Sequence, residues 1–172
     1  MTTFQTPRVC VQSDDFDLGA EVAALRAGDA AVGAVVAFVG TVRDRNGPAL
    51  ASTNSSAGAV LSMELEHYPG MTERAIEAMI DAAVERFGIQ GARIVHRVGL
   101  LQPLDQIMMV AVTSAHRGSA FQACEFLMDF LKTQAPFWKK EQTPTGAHWV
   151  DARVADDAAL QRWGVMASNA PD

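Results

Sequence analysis

The sequence has few cysteines, no long apolar run and no excess of positive charge, and each shortage argues against a class of protein. Its two cysteines, Cys10 and Cys124, show no CxxC spacing, which argues against a disulfide framework and against a zinc site. No apolar run approaches membrane-spanning length, and the first ten residues lack the apolar segment of a signal peptide, so the cytoplasm is the expected location. The net charge of −6 disfavours a nucleic-acid surface.

Patterns for nucleotide binding are missing as well. The chain contains no GxGxxG and no phosphate loop, so a nucleotide cofactor is not expected. Its 172 residues are 49% hydrophobic and 20% charged, which suits a single globular domain. We expect that domain to span residues 1–164, with a flexible loop rich in small and polar residues at 46–58 and a frayed tail at 165–172.

Lysine is rare, and the lysines that occur are clustered. Of the 14 basic residues, 11 are arginines spread along the chain, whereas Lys132, Lys139 and Lys140 all lie within residues 113–141. Codon bias explains why lysine is rare but not why the three lysines cluster. Arginine stays protonated, whereas the pKa of a lysine can be lowered by burial or by neighbouring cations, so that its amine exchanges a proton or acts as a nucleophile. The cluster therefore indicates a chemical role.

The stretch that carries the lysines also contains a helix with one apolar stripe. The stripe consists of Ala120, Phe121, Cys124, Leu127, Met128 and Leu131. Ser114 or Ser119 could cap the start of this helix, and Pro136 should end it at about Ala135. Lys132 then lies at the edge of the stripe near the helix end, where its stem can be buried while its amine reaches a cleft.

His116 and Arg117 precede the same helix. Free backbone N–H groups and the helix dipole favour an anion at a helix start, although a pair of surface charges beside a cap explains these residues equally well. Arg43, which ends a valine-rich strand, is on its own best explained as a solvated strand end. Glu64, Glu66 and His67 resemble metal ligands, but strand alternation accounts for them more simply as one polar face.

The order of the predicted elements indicates the fold class. Gly40 predicts a bulge or a close backbone approach in the second strand, and the nearly all-apolar strand at 106–114 should be central and covered on both faces. The predicted strands cover 8–12, 33–43, 59–67, 91–98, 106–114, 137–142 and 148–153. The further helices are a short one through Leu18, Val22 and Leu25, which Gly28 and Asp29 end, and two that cover 72–87 and 156–163. We expect a turn at 100–105. This order favours an α+β fold with a largely antiparallel sheet and a C-terminal hairpin.

Four fragments together resemble the catalytic, large subunit of molybdopterin synthase. They are FVGTVR at 38–43, LEHYPGMTERAI at 65–76, the stretch 112–141 with its AHR and KTQAPFWKKE segments, and WVDAR at 149–153. The resemblance extends over about residues 32–163. The chain departs from the family pattern at Thr41, Gly118 and Gln134, where lysine, serine and arginine are frequent, and its loop at 46–58 is longer than usual.

The resemblance implies an α/β hammerhead fold and a defined sulfur transfer. It implies a homodimer in which each chain binds a small ubiquitin-like sulfur-carrier subunit, giving a heterotetramer. The carrier's C-terminal Gly-Gly tail, charged as a thiocarboxylate, would donate sulfur to cyclic pyranopterin monophosphate (precursor Z). Two transfers would form the dithiolene of molybdopterin in molybdenum cofactor biosynthesis. Neither a metal nor a bound cofactor is implied, because the carrier thiocarboxylate supplies the sulfur.

The resemblance also implies roles for individual residues. Lys132 and Lys139 would be catalytic, since an amine beside the reacting carbons can stabilise negative charge or move protons. Substrate binding would involve Arg43, Thr41, Val42, His116, Arg117, Lys140, Glu141, Arg153, Phe38 and Met128. Among these, Arg153 would come from the other subunit of the dimer, and Phe38 and Met128 would form an apolar wall.

Two other hypotheses remain open at this point. The chain could be a non-catalytic docking module for a ubiquitin-like sulfur carrier, which would need a groove for the tail but no phosphate pocket. Alternatively, Lys132 could act as a plain acyl acceptor that forms an isopeptide with the carrier tail.

Overall fold

The computed structural model describes residues 7–45, 59–150 and 161–164, which contain eight strands and three helices. The predicted loop at 46–58, Arg153, most of the predicted last helix and the tail at 165–172 lie outside the described residues. The elements are β1 (Val9–Gln12), α1 (Leu18–Arg26), β2 (Ala34–Thr41), β3 (Ser62–His67), α2 (Met71–Phe87), β4 (Gly91–Arg97), β5 (Gly99–Leu101), β6 (Gln106–Ser114), α3 (Arg117–Thr133), β7 (Phe137–Thr143) and β8 (Gly146–Val150).

The first sheet has the strand order β1-β4-β6-β2, with β1 parallel to β4 and the other pairs antiparallel. The strand β6 lies inside this sheet, and its residues from Met108 to Ser114 are buried. Val110 and Val112 pack with α2 and α3 on one face, whereas Met109 and Ala111 pack with α1 on the other. The prediction of a central strand covered on both faces is therefore confirmed.

The second sheet has the order β5-β3-β7-β8 and is entirely antiparallel. The predicted hairpin of β7 and β8 is present, but it belongs to this separate sheet together with β3 and β5. The turn predicted at 100–105 is present only at 102–105, because residues 99–101 pair with β3. Leu101 is fully buried opposite Met63, so the strand closes a small apolar cluster before the chain turns. The α+β class with largely antiparallel pairing is confirmed.

The helix α3 differs from its prediction at both ends and on one face. It starts at Arg117 with His116 as N-cap and without a side-chain cap; the Ser114 hydroxyl instead accepts a hydrogen bond from the His116 N–H at 3.4 Å. It ends at Thr133, two residues before the predicted end. Phe121 was placed on the buried stripe but is 62% exposed, whereas Phe126 is only 2% exposed. One residue beyond Ala120 turns about 100° around the helix axis, which carries Phe121 off the buried face.

The other two helices largely follow their predictions. Asp17 caps α1 by accepting a hydrogen bond from the Ala20 N–H at 3.0 Å, and Gly88, whose φ of 62° is left-handed, is the C-cap of α2. Val84, which was placed on the apolar stripe of α2, is 38% exposed. Within the described ranges, no helix is long and apolar enough to cross a membrane.

The two sheets meet at a stacked pair of rings. His96, near the end of β4, lies 3.8 Å from Phe137 of β7 between ring centroids, with 16° between the ring planes. Burial lowers the pKa of His96 to about 4; the nearby His67 also lowers it, and a hydrogen bond with the Arg97 carbonyl opposes the shift. A neutral imidazole is therefore built into the junction between the sheets.

The different environments of two phenylalanines on α3 lead to a stability prediction. Phe126→Ala should lower the free energy of unfolding by about 3–5 kcal/mol, because it empties a site packed against Phe87, Phe130 and Trp163. Phe121→Ala on the same helix should lower it by less than about 1 kcal/mol. Urea denaturation measures both values, and equal losses would contradict the observed helix face.

The buried imidazole predicts how stability depends on pH. Because the pKa of His96 is about 4 in the folded chain and 6.5 in the reference state, the unfolded chain binds more protons between these values. Stability should therefore fall as the pH falls from 6.5 to 4, by about 3 kcal/mol in total. Denaturation of wild type and His96→Gln across this range isolates the effect, since the contributions of other groups cancel in the difference. Parallel pH curves for the two proteins would contradict the prediction.

Candidate functional site

A cavity of about 880 Å³ opens where the end of β2, the end of α3 and the inner face of the second sheet meet. Its walls are largely apolar and include Phe38, Met108, Met128, Leu131 and Phe137. Such a volume and such walls are typical of a small-molecule site. The tertiary structure thus places a binding cavity at the C-terminal end of α3.

Three cationic side chains line this cavity. Lys132 lies in the last turn of α3, Lys139 lies on β7, and Arg43 follows β2. Lys132 and Arg43 are exposed, whereas the side chain of Lys139 is 32% exposed. Because the cations come from three different elements, only the tertiary fold brings them together. The cavity can therefore stabilise an anion or a developing negative charge.

Glu141 holds one of these lysines in place. Its side chain is 6% exposed, and its Oε1 lies 2.9 Å from the Lys139 Nζ. Lys139 and Glu141 lie opposite Leu65 and Met63 of β3, which are both buried, so the two charged side chains point to the inner face of the sheet. A buried carboxylate is costly unless it is paired, and this ion pair fixes the ammonium group of Lys139 toward the cavity.

An irregularity in the pairing of β2 with β6 shapes the opposite wall. The register shifts between Gly40 and Thr41, so the predicted irregularity at Gly40 is confirmed, but the extra residue, Ile107, belongs to β6. Beyond the shift, the Val42 N–H donates to the Asp105 carbonyl at 2.9 Å, and Val42 is buried. The shift directs the segment from Thr41 to Arg43 along the cavity.

The structure separates the sequence-predicted residues into two groups. Those that line the cavity are Phe38, Thr41, Val42, Arg43, Met128, Lys132, Lys139 and Glu141. His116 and Arg117 are exposed at the other end of α3, and 15 residues of helix place Arg117 about 22 Å from Lys132 along the axis. Lys140 points to the outer face of β7, where its Nζ lies 5.5 Å from the Trp149 ring centroid.

Several lining residues were missed by the sequence analysis. His96, Ile107, Met108, Leu131, Ala135 and Phe137 all line the cavity without having been assigned to the site. His96 lies two residues after Ile94 and therefore on the same face of β4. This spacing was the sequence signal that its side chain points toward the core. Among the described residues, no group of three or more His, Cys, Asp or Glu side chains is arranged to hold a metal ion.

Comparison with known proteins identifies the family. The model of the family described as MoaE protein matches residues 11–134. The molybdopterin synthase catalytic subunit of Ralstonia nicotianae is 58% identical over 95% of this chain and 88% of its own length. The corresponding protein of Cereibacter sphaeroides is 51% identical over 91% and 99%. The solved structure of the molybdopterin biosynthesis MoaE protein from Burkholderia ambifaria MC40-6 is 57% identical, has a TM-score of 0.76, and covers 93% of this chain and 99% of its own. This chain therefore belongs to the MoaE family, whose curated relatives are molybdopterin synthase catalytic subunits.

Proposed function

We propose that this chain is the catalytic subunit of a molybdopterin synthase. It transfers sulfur from the C-terminal thiocarboxylate of a small ubiquitin-like carrier subunit to cyclic pyranopterin monophosphate, forming the dithiolene of molybdopterin. The observation that carries the proposal is the cavity in which Lys132, Lys139 and Arg43 face apolar walls. A phosphorylated heterocycle and a thiocarboxylate are both anionic, and both need cations together with space for an apolar or planar group.

The two cavity lysines have different surroundings and therefore different proposed roles. Lys132 is exposed and lines the cavity, which supports a role beside the reacting carbon of a carrier tail that enters there. Its amine stabilises charge on the acyl group or moves a proton. Lys139 is paired with buried Glu141 at 2.9 Å, which favours a fixed electrostatic role toward the bound anion.

The carrier subunit is part of the same proposal. The relatives are named catalytic subunits, which implies at least one other subunit in their enzymes. A Gly-Gly tail has no side chains, so it can enter a cavity that is already lined by the bulky side chains of Phe38 and Met128. The sulfur arrives on the carrier, and we propose no bound cofactor. The cytoplasmic location expected from the sequence belongs to this proposal as well.

A second copy of the chain would explain the positions of His116 and Arg117. Both residues lie about 22 Å along α3 from Lys132, too far to share one small phosphate with it. If they bind the substrate phosphate, they must reach the cavity of another chain. We therefore propose a homodimer in which each cavity is completed by His116 and Arg117 of the second copy, and a heterotetramer once two carriers bind.

The docking-module hypothesis is not favoured. A module that only holds the carrier tail would not need cations gathered from three elements around a cavity of about 880 Å³. The isopeptide hypothesis requires only an accessible Lys132, and such a product could arise as a side reaction of the same geometry.

Removal of the Lys132 amine should abolish turnover. With thiocarboxylated carrier and cyclic pyranopterin monophosphate, Lys132→Ala should lower dithiolene formation at least about 100-fold, because a positioned proton-transfer group contributes that much. Lys132→Arg should fail as well, since a guanidinium stays protonated. Mass spectrometry of the product measures both effects.

Arg26→Ala serves as the matched control, because it removes one exposed positive charge on α1, away from the cavity. It should keep wild-type turnover. Full activity of Lys132→Arg would remove proton transfer from the mechanism. A stable carrier complex without product from the wild-type chain would instead support the docking module.

Mixed dimers test the contribution of the second copy. Lys132→Ala and Arg117→Ala should each be inactive alone. Co-expression of the two chains should restore about a quarter of wild-type activity, because half of the dimers are mixed and each of these contains one intact site. If both residues serve the cavity of their own chain, no mixed dimer contains an intact site and activity stays at background.

A further inference from the structure

His96 lines the cavity, but the proposed sulfur transfer gives it no role. It lies on β4 opposite Met108 of β6, another lining residue, and on the strand face that Ile94 shares with α2 and α3. It stacks on Phe137, which precedes Lys139 by two residues on the same face of β7. Alternate residues of a strand are roughly 7 Å apart, so His96 lies close to the cationic side without belonging to it.

The protonation of the ring follows from its hydrogen bond. His96 Nδ1 lies 2.8 Å from the Arg97 carbonyl oxygen, which can only accept. Nδ1 therefore carries the hydrogen. In a neutral imidazole the other nitrogen, Nε2, then has a free lone pair and acts only as an acceptor.

The described polar and ring contacts of His96 leave Nε2 unused. Neither its hydrogen bond to the Arg97 carbonyl nor its ring stack on Phe137 involves this atom. The same residues contain no side-chain nitrogen or oxygen that is sealed from solvent without a hydrogen-bond partner. Since His96 lines the cavity, the lone pair at Nε2 is available to a molecule bound there.

The neutral state of the ring is maintained by its surroundings. Burial and the nearby His67 on β3 together lower the pKa of His96 to about 4, although the hydrogen bond with the Arg97 carbonyl opposes the shift. On the neighbouring face of β7, Lys139 and Glu141 form an ion pair. The cavity therefore has a cationic side, formed by Lys132, Lys139 and Arg43, and a neutral acceptor at His96.

A lone pair without a hydrogen repels an anionic oxygen but binds a donor. We propose that His96 is a specificity-determining residue that accepts a hydrogen bond at Nε2 from an N–H group of the substrate's pterin ring. This inference rests on the proposed function and deepens it, because it specifies the orientation of the substrate in the cavity. The phosphate points to the cations, and the flat heterocycle lies at the edge of the His96–Phe137 stack with a ring N–H on His96.

The test compares two amide substitutions, each of which replaces only one of the two imidazole nitrogens. His96→Asn keeps a donor for the Arg97 carbonyl and removes the acceptor at the Nε2 position, whereas His96→Gln places an amide oxygen near that position. His96→Phe keeps the stack on Phe137 and removes both polar atoms. The control His67→Gln changes the other histidine near Phe137, whose ring centroid lies 6.5 Å away. KM for cyclic pyranopterin monophosphate and kcat are measured at saturating thiocarboxylated carrier, and thermal unfolding confirms that each variant is folded.

His96→Asn and His96→Phe should raise KM about tenfold with little change in kcat, the loss expected from one hydrogen bond. His96→Gln should recover most of the lost affinity, and His67→Gln should keep the wild-type KM. If His96→Phe does not fold, the pair of amides decides the outcome.

Three results would overturn the inference while leaving the proposed function intact, provided that the wild type forms product. They are an unchanged KM in His96→Asn, equal losses in His96→Asn and His96→Gln, and a fall in kcat at constant KM. A wild-type chain that forms no product would overturn the proposed function, and the inference with it.

Discussion

The burial of β6 is the constraint on which the rest of the structure depends. Its residues from Met108 to Ser114 are removed from solvent, and apolar side chains leave the strand on both faces. Both faces of such a strand must be covered by other elements. Helices α2 and α3 cover one face, and α1 covers the other. The pairing of β6 with β2 and β4 then determines where the irregularity at Gly40 and the ring of His96 lie.

The cavity lies at the junction of the two sheets, where they do not form one continuous sheet. The register shift in β2, the end of α3 and the inner face of β7 leave a space that none of the three elements fills. Its positive charges come from Lys132 and Lys139 on two consecutive elements, α3 and β7, and from Arg43 after β2, which is far away in sequence. The buried pair of Lys139 and Glu141 keeps one cation fixed, whereas Lys132 stands exposed at the helix end. A fixed and an exposed amine beside apolar walls can hold an anion and still admit a second reactant.

The helix α3 carries polar groups at both ends, and its length keeps them apart. Lys132 serves the cavity of its own chain, whereas His116 and Arg117 lie about 22 Å away. A rigid helix cannot bring its own ends together, so a phosphate contacted by both ends requires two chains. The sequence order conceals this separation, because all of these residues belong to one short stretch.

The sequence by itself determined the α+β class, the bounds of β6, the hairpin of β7 and β8, and the clustering of the three lysines in one stretch. These features depend on local periodicity, turn residues and composition, which are readable without contacts. Only the tertiary structure decided the split into two sheets and the pairing of β5 with β3. It also decided that Phe126 is buried on α3 whereas Phe121 is exposed. It also turned Lys140 away from the cavity and His96 into it. The physical reason is that facing, burial and long-range pairing depend on neighbours from distant parts of the chain, and a periodic pattern does not identify those neighbours.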